Sequence, residues 1–143
     1  MSLLENPMKS ASATVQSRDL RLQWTASVSR ARLSYYTPDL LELDFSLGTR
    51  LTLPLVHDIL DEFSARCEHK TGRLLVYVSR ISSVDAEVVR AFSKITSTMR
   101  VALLGFGPAD RVLTKFFMRN HDPQHPCAYV EERGEALDFL YAA

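Results

Sequence analysis

Between Arg73 and Phe117 an apolar run, a polar joint and an amphipathic stretch of helical period occur twice in succession. Leu74 to Val78 precedes Val88, Val89, Phe92 and Ile95; Val101 to Leu104 precedes Val112, Leu113, Phe116 and Phe117. Strands this apolar need cover on both faces, and a parallel return needs a crossover, so the pattern predicts an α/β sheet with helices packed on it. The internal echo is the strand–helix unit, not a sequence repeat. In such folds function usually sits on the joints that follow the strands. Here they are Ser79 to Ala86 and Gly105 to Arg111.

Upstream, Ala31 to Tyr36 alternates, Thr37-Pro38-Asp39 turns, and Leu40, Leu41, Leu43 and Phe45 return, which predicts a hairpin. Ser46 to Arg50 reads as a loop, and Thr52 stands at a helix-cap position two residues before Pro54. The first helix is expected from Leu53 to about His69, with Leu53, Val56, Ile59, Leu60, Phe63 and Cys67 in one stripe. Strand Arg73 to Val78 follows. A helix then runs from near Asp85, capped by Ser83 or Asp85, to Met99. Strand Arg100 to Leu104, helix Pro108 to Asn120, strand Ala128 to Val130 and helix Glu132 to Tyr141 complete a mixed sheet of about five strands with four helices, in the order ββαβαβαβα.

The first 28 residues read as a flexible or partly ordered N-terminal arm, and residues 29–143 as one domain. Leu20, Leu22 and Trp24 alternate, so the distal arm is a candidate edge strand. At 143 residues the chain can bury a core without metal or disulfide support. Acidic and basic residues balance at 17 each, so no bulk field favours nucleic acid or an anionic membrane. Thirteen of the basic residues are arginine, which suits bidentate pairing with carboxylates or phosphates. No window approaches the roughly 18 uninterrupted apolar residues of a spanning helix, and no signal-peptide pattern opens the chain, so a cytoplasmic location is expected. Cys67 and Cys127 are expected to be free thiols.

The order hairpin, helix, strand, helix, strand, helix, strand, helix over about residues 30–142 resembles the STAS fold of SpoIIAA-type anti-sigma-factor antagonists. It is also similar to SpoIIAA-like and lipid-binding CRAL-TRIO domains. Ala102-Leu103-Leu104-Gly105 leading into Pro108-Ala109-Asp110-Arg111-Val112 resembles small actinobacterial STAS-like proteins most closely, and the ending Glu135-Ala136-Leu137-Asp138-Phe139-Leu140 is similar to the last helix of SpoIIAA-like proteins. In a phosphorylatable antagonist the joint after the third strand reads Asp-Ser-Ser-Gly, and its first Ser accepts phosphate from a kinase. Laid on this chain, that pattern falls on Asp85, Ala86, Glu87 and Val88. The resemblance therefore implies a family member whose acceptor position, Ala86, has no hydroxyl. Glu87 puts a fixed charge at the helix start, different in shape from a phosphoserine. Ser82 and Ser83 lie upstream, and the resemblance does not transfer the switch to them.

Other constellations are weaker. His121-Asp122-Pro123-Gln124-His125-Pro126-Cys127 holds zinc-ligating chemistry but lacks the second pair of a structural site, so a proline-shaped loop is the better reading. Gly105-Phe106-Gly107-Pro108-Ala109-Asp110 evokes a dinucleotide loop, yet Asp110 replaces its last glycine and Pro108 removes a donor. Its glycines read as a sharp strand-to-helix turn; alternatively, Arg111 and the helix start hold a small anion. Phe116, Phe117 and Met118 cannot all be buried by one stripe, so a greasy patch with Val112 or Leu113 is expected, and a homodimer is its commonest use.

The expectation is a non-enzymatic regulatory or protein-interaction module with no catalytic residues, metal or cofactor. Its contact surface is placed at Ser82, Ser83, Asp85, Ala86 and Glu87 together with Gly105, Gly107 and Arg111. Its partner is a protein, such as a regulatory kinase or sigma-factor-type regulator, or a second copy. The alternative is a binder of an apolar or lipid-like ligand enclosed by the first and third helices and the sheet, in the CRAL-TRIO manner.

Overall fold

A computed structural model describes residues 20–37, 39–66, 72–96, 99–120 and 126–142. Six strands form one sheet: β1 (Arg21–Val28), β2 (Ala31–Thr37), β3 (Leu40–Phe45), β5 (Arg73–Tyr77), β7 (Arg100–Leu104) and β8 (Cys127–Val130), side by side in that order. Strands β1, β2 and β3 are antiparallel, and β3, β5, β7 and β8 run parallel. Four helices are described: α1 (Leu53–Arg66), α2 (Ala86–Ile95), α3 (Pro108–Asn120) and α4 (Arg133–Leu140).

The mixed α/β sheet and its helices follow the expected order, with three strands beyond it. Strand β1 is the edge strand suggested by the alternating Leu20, Leu22 and Trp24, so residues from Arg21 onward belong to the sheet. Its register slips between Leu22 and Trp24. Beyond the slip, the Trp24 ring stacks on Tyr35 of β2 at 5.8 Å. The other two additions are β4 (Thr49–Leu51) and β6 (Ile81–Val84), which pair in parallel as a separate two-stranded ribbon. They lie where a loop and a plain crossover turn were expected. Both are three or four residues long, too short to show a period.

The sheet divides two cores. Leu41, Leu43, Leu74, Val76, Val101 and Leu103 face α1, α2 and α3, meeting Val56, Ile59, Val89, Phe92 and Phe117. The alternate residues Leu40, Leu75, Ala102 and Leu104 face α4, meeting Ala136, Leu137 and Leu140. This period-two division explains the apolar runs: a strand covered on both faces has no polar side. Removing a leucine such as Leu75 or Leu103, both 0% exposed, from water contributes about 2 kcal/mol.

Local chemistry fixes the helix ends. The Thr52 hydroxyl accepts from the Leu55 N–H at 3.3 Å, so Thr52 caps α1 as its position suggested. Asp85 stands at the α2 N-cap, but its side chain makes no cap bond there. At the other end of the sheet, the last carbonyls of α4 are taken by paired arginines of β5 and β7. The Arg73 Nε donates to the Leu140 carbonyl at 2.9 Å and the Arg100 Nε to the Phe139 carbonyl at 2.6 Å. Their guanidinium planes lie 4.2 Å and 4.3 Å from the Tyr141 and Phe139 ring centres.

Candidate functional site

Because β5 and β7 are parallel, with Tyr77 opposite Leu104, the joints that follow them leave the same end of the sheet. The Val78 N–H donates to the Leu104 carbonyl at 2.9 Å and holds the two exits together.

The first joint is more built than a turn. Ser82 and Ser83 belong to β6 and not to a loop. The Ser82 hydroxyl is 3.2 Å from each of the Gly48 and Thr49 carbonyls and ties the ribbon to the loop after β3. Phosphate on Ser82 would break that tie. Ser83, Asp85 and Glu87 are exposed, and Ala86 is half-buried at the first position of α2. Asp85 faces Arg50 at 4.0 Å with both side chains about two-thirds exposed, a pairing worth little in water.

In the second joint Gly105 and Arg111 are both closely packed or bonded. Gly105 has no positive φ. Its role is close approach: a Cβ there would lie 2.7 Å from the Asp110 Cβ and 2.9 Å from the Tyr129 ring. Gly107 has open space around it. Asp110 reaches back to accept the Phe106 N–H at 2.8 Å, taking up one backbone donor that a phosphate in this loop would need. Arg111 is already engaged by an anion of the chain itself. Its Nε and Nη2 donate to the two Glu131 oxygens at 2.8 Å each, and the Tyr129 hydroxyl donates to Glu131 at 2.9 Å. The hydrogen bonds to Arg111, then to Tyr129, lower the Glu131 carboxyl from its ordinary range. Those to Glu131 raise the Arg111 guanidinium. Burial, followed by the bond to Glu131, raises the Tyr129 phenol.

Two large apolar side chains near Arg111 in the chain are exposed. Phe106 is 65% exposed in the joint and Val112 69% exposed on α3. Of the residues expected in a greasy patch, Val112 and Met118 are exposed on different faces of α3, and Phe117 is buried.

One polar cluster had no sequence forecast. Glu42 of β3, 8% exposed, accepts from the Tyr77 hydroxyl at 2.9 Å and forms an ion pair with Arg133 at the start of α4. A signal existed: Glu42 is an acidic residue with a leucine on either side in a central strand.

Among the described residues no group of three or more His, Cys, Asp or Glu could hold a metal ion. Cys67, His69 and residues 121–125 of the histidine-bearing loop lie outside them. Cys127 is a free thiol at the start of β8 and packs against the larger core. Burial pushes it up to about 12, the signature of a structural thiol and not a nucleophile. No helix among the described residues is long and apolar enough to cross a membrane.

This sheet-and-joint arrangement, from β2 to the end of the chain, is the unit that a family model recognises. Residues 35–143 match the family described as Domain of unknown function (DUF7793), and the chain belongs to that family. Among solved structures it is similar to the anti-sigma factor antagonist SpoIIAA in its unphosphorylated form. The identity is 19% over 82% of this chain and 93% of that chain, with a TM-score of 0.45. No curated protein matches the sequence.

Proposed function

We propose that the chain is a non-enzymatic regulatory module that acts by binding another protein through the strand-exit end of its sheet, without serine phosphorylation of that surface. The observation that carries this reading is the pairing of exposed apolar and charged groups there. Phe106 in the second joint and Val112 on α3, next in the chain to Arg111 of the Arg111–Glu131 pair, are exposed, and so are Ser83, Asp85 and Glu87 of the neighbouring joint. Apolar anchors with a polar rim suit a protein interface. At the acceptor position of a phosphorylatable antagonist stands Ala86, whose methyl group cannot carry phosphate. Gly105 and Gly107 support the surface through the loop backbone.

The rival reading, an apolar ligand between helices and sheet, needs a cavity. Between the sheet, α1 and α2, an apolar crevice lined by Val56, Ile59, Phe63, Phe92 and Met99 has about 30 Å³, room for a water or two, so an acyl chain there would have to part α1 from α2; no residue of α3 lines it.

Affinity purification from the source cells separates the readings. Proteins captured by the wild type should be lost with Phe106→Asp and with Asp85→Arg/Glu87→Arg, while circular dichroism stays unchanged. Equal capture by all three counts against this surface. A small molecule retained in native mass spectrometry favours the rival, and a doubled mass that Phe106→Asp halves makes the partner a second copy.

A further inference from the structure

A second site lies off this surface, where the β1–β2 turn meets the end of β3. Ser29, Arg30, Arg32, Asp44, Ser46 and Arg80 line a cleft of about 250 Å³. Its cations come from three places in the fold: Arg30 from the two-residue turn, Arg32 from β2, and Arg80 from the bend between β5 and β6. We propose that this cleft binds a phosphate dianion, either free phosphate or a phosphomonoester head group.

Charge sets the ligand class. Three arginines and a single carboxylate, Asp44, line the cleft, an excess of two positive charges for a group that carries about two negative ones at neutral pH. Planar guanidinium forks match phosphate oxygens, and the Ser29 and Ser46 hydroxyls add neutral donors. Size points the same way. The cleft falls just below the roughly 300–1,000 Å³ of pockets that enclose whole drug-sized ligands, so it suits a head group.

The Arg30 side chain and the Arg80 backbone are held in place before any ligand arrives. The Arg30 Nη2 donates to the Leu47 carbonyl at 2.8 Å and its Nε to the Thr49 hydroxyl at 3.3 Å, leaving Nη1 for a further acceptor. The Arg80 backbone is fixed by its carbonyl, which accepts the Thr49 N–H at 3.0 Å, while the residue itself is exposed. Arg32 meets Asp44 at 3.7 Å with its side chain 61% exposed, a loose pair that a dianion can displace. Ser29, which lines the cleft, holds φ of 53° in the turn, a left-handed conformation that glycine would adopt more cheaply.

Amide-resolved NMR titration tests the site, with inorganic phosphate in one arm, O-phosphoserine in the other, and sodium chloride at matched ionic strength as control. The expected result is saturable shifts at Ser29, Arg30, Ser46 and Arg80, absent with chloride, and a dissociation constant raised at least tenfold by Arg80→Ala. Arg80→Ala leaves the backbone pairing to Thr49 intact, and the double variant Arg32→Ala/Arg80→Ala should abolish saturation. Tighter binding of phosphoserine assigns the head group to a monoester; equal or weaker binding assigns it to free phosphate. Shifts that never saturate, that chloride reproduces, or that survive the double variant overturn the proposal. Partner capture through Phe106 is a separate measurement, so either result stands without the other.

Discussion

The Tyr77 hydroxyl donates to the buried Glu42 carboxylate across the β3–β5 junction at 2.9 Å, and the Arg133 Nε lies 3.3 Å from that same hydroxyl. Burial, then the negative charge of Glu42, pushes the Tyr77 phenol up to about 12 from 10.0. A phenol harder to ionise in the folded chain leaves stability intact below the unfolded value and removes it as pH climbs through the folded one. Stability should therefore fall between pH 10 and about 12. Urea denaturation across that range should show a shallower decline for Tyr77→Phe, after subtraction of the Cys127 contribution with Cys127→Ala. An unchanged slope would remove Tyr77 as the cause.

The same carboxylate makes Arg133 the residue that seats α4. Glu42 side-chain exposure is 9% and that of Arg133 is 42%, so the pair is closed on the sheet side and open on the other. Arg133→Ala should cost about 1–2 kcal/mol, below the figure for a fully buried pair because water can reach the vacated side. Hydrogen exchange should quicken in α4 before it quickens in α1. Uniform loss of protection in both helices would contradict a local seating role.

Gly105 is predicted to tolerate no side chain. An added methyl meets the Asp110 Cβ at 2.7 Å and the Tyr129 ring at 2.9 Å, and neither a helix backbone nor an aromatic ring in a hydrogen bond to Glu131 yields easily. Gly105→Ala should lower stability by about 1–3 kcal/mol, whereas Gly107→Ala, with open space around it, should stay within about 0.5 kcal/mol. Chemical denaturation of the two variants side by side checks the contrast.

What the sequence revealed and what it hid follow one physical division. Strands β5 and β7 and helix α3 were legible because burial on both faces or on one helical stripe writes a long apolar signature, as in Leu74 to Val78 and Val101 to Leu104. The β4–β6 ribbon was not, because Thr49 to Leu51 and Ile81 to Val84 pair through backbone groups that any residue supplies. The same holds at the joints. That they follow the strands could be read from chain order, but the partner of Arg111 could not. Glu131 lies twenty positions away and meets it only through the β7–β8 pairing. Likewise Arg30 and Arg80 share a cleft by way of Thr49, which bonds to both.

Cys127 should be nearly inert to thiol reagents in the folded protein. Its thiol, raised to about 12 by burial, is scarcely ionised at pH 8, and the thiolate is the reacting species. In a Cys67→Ser background, labelling by an aromatic disulfide at pH 8 should be slowed at least a hundredfold relative to the same chain in denaturant. Equal rates would mean that the start of β8 opens readily in the native state.

Thr114 offers a substitution expected to stabilise. On α3 it is 3% exposed, and its hydroxyl is without a hydrogen-bond partner among the described residues. A buried hydroxyl without a partner carries its desolvation cost uncompensated. Valine has nearly the same shape, no polar atom and a helix propensity close to that of threonine. Thr114→Val should therefore raise the unfolding free energy by about 1 kcal/mol, read as a higher urea midpoint at unchanged slope. A lowered midpoint would show that the hydroxyl has found a partner, for instance a bound water, that the valine cannot replace.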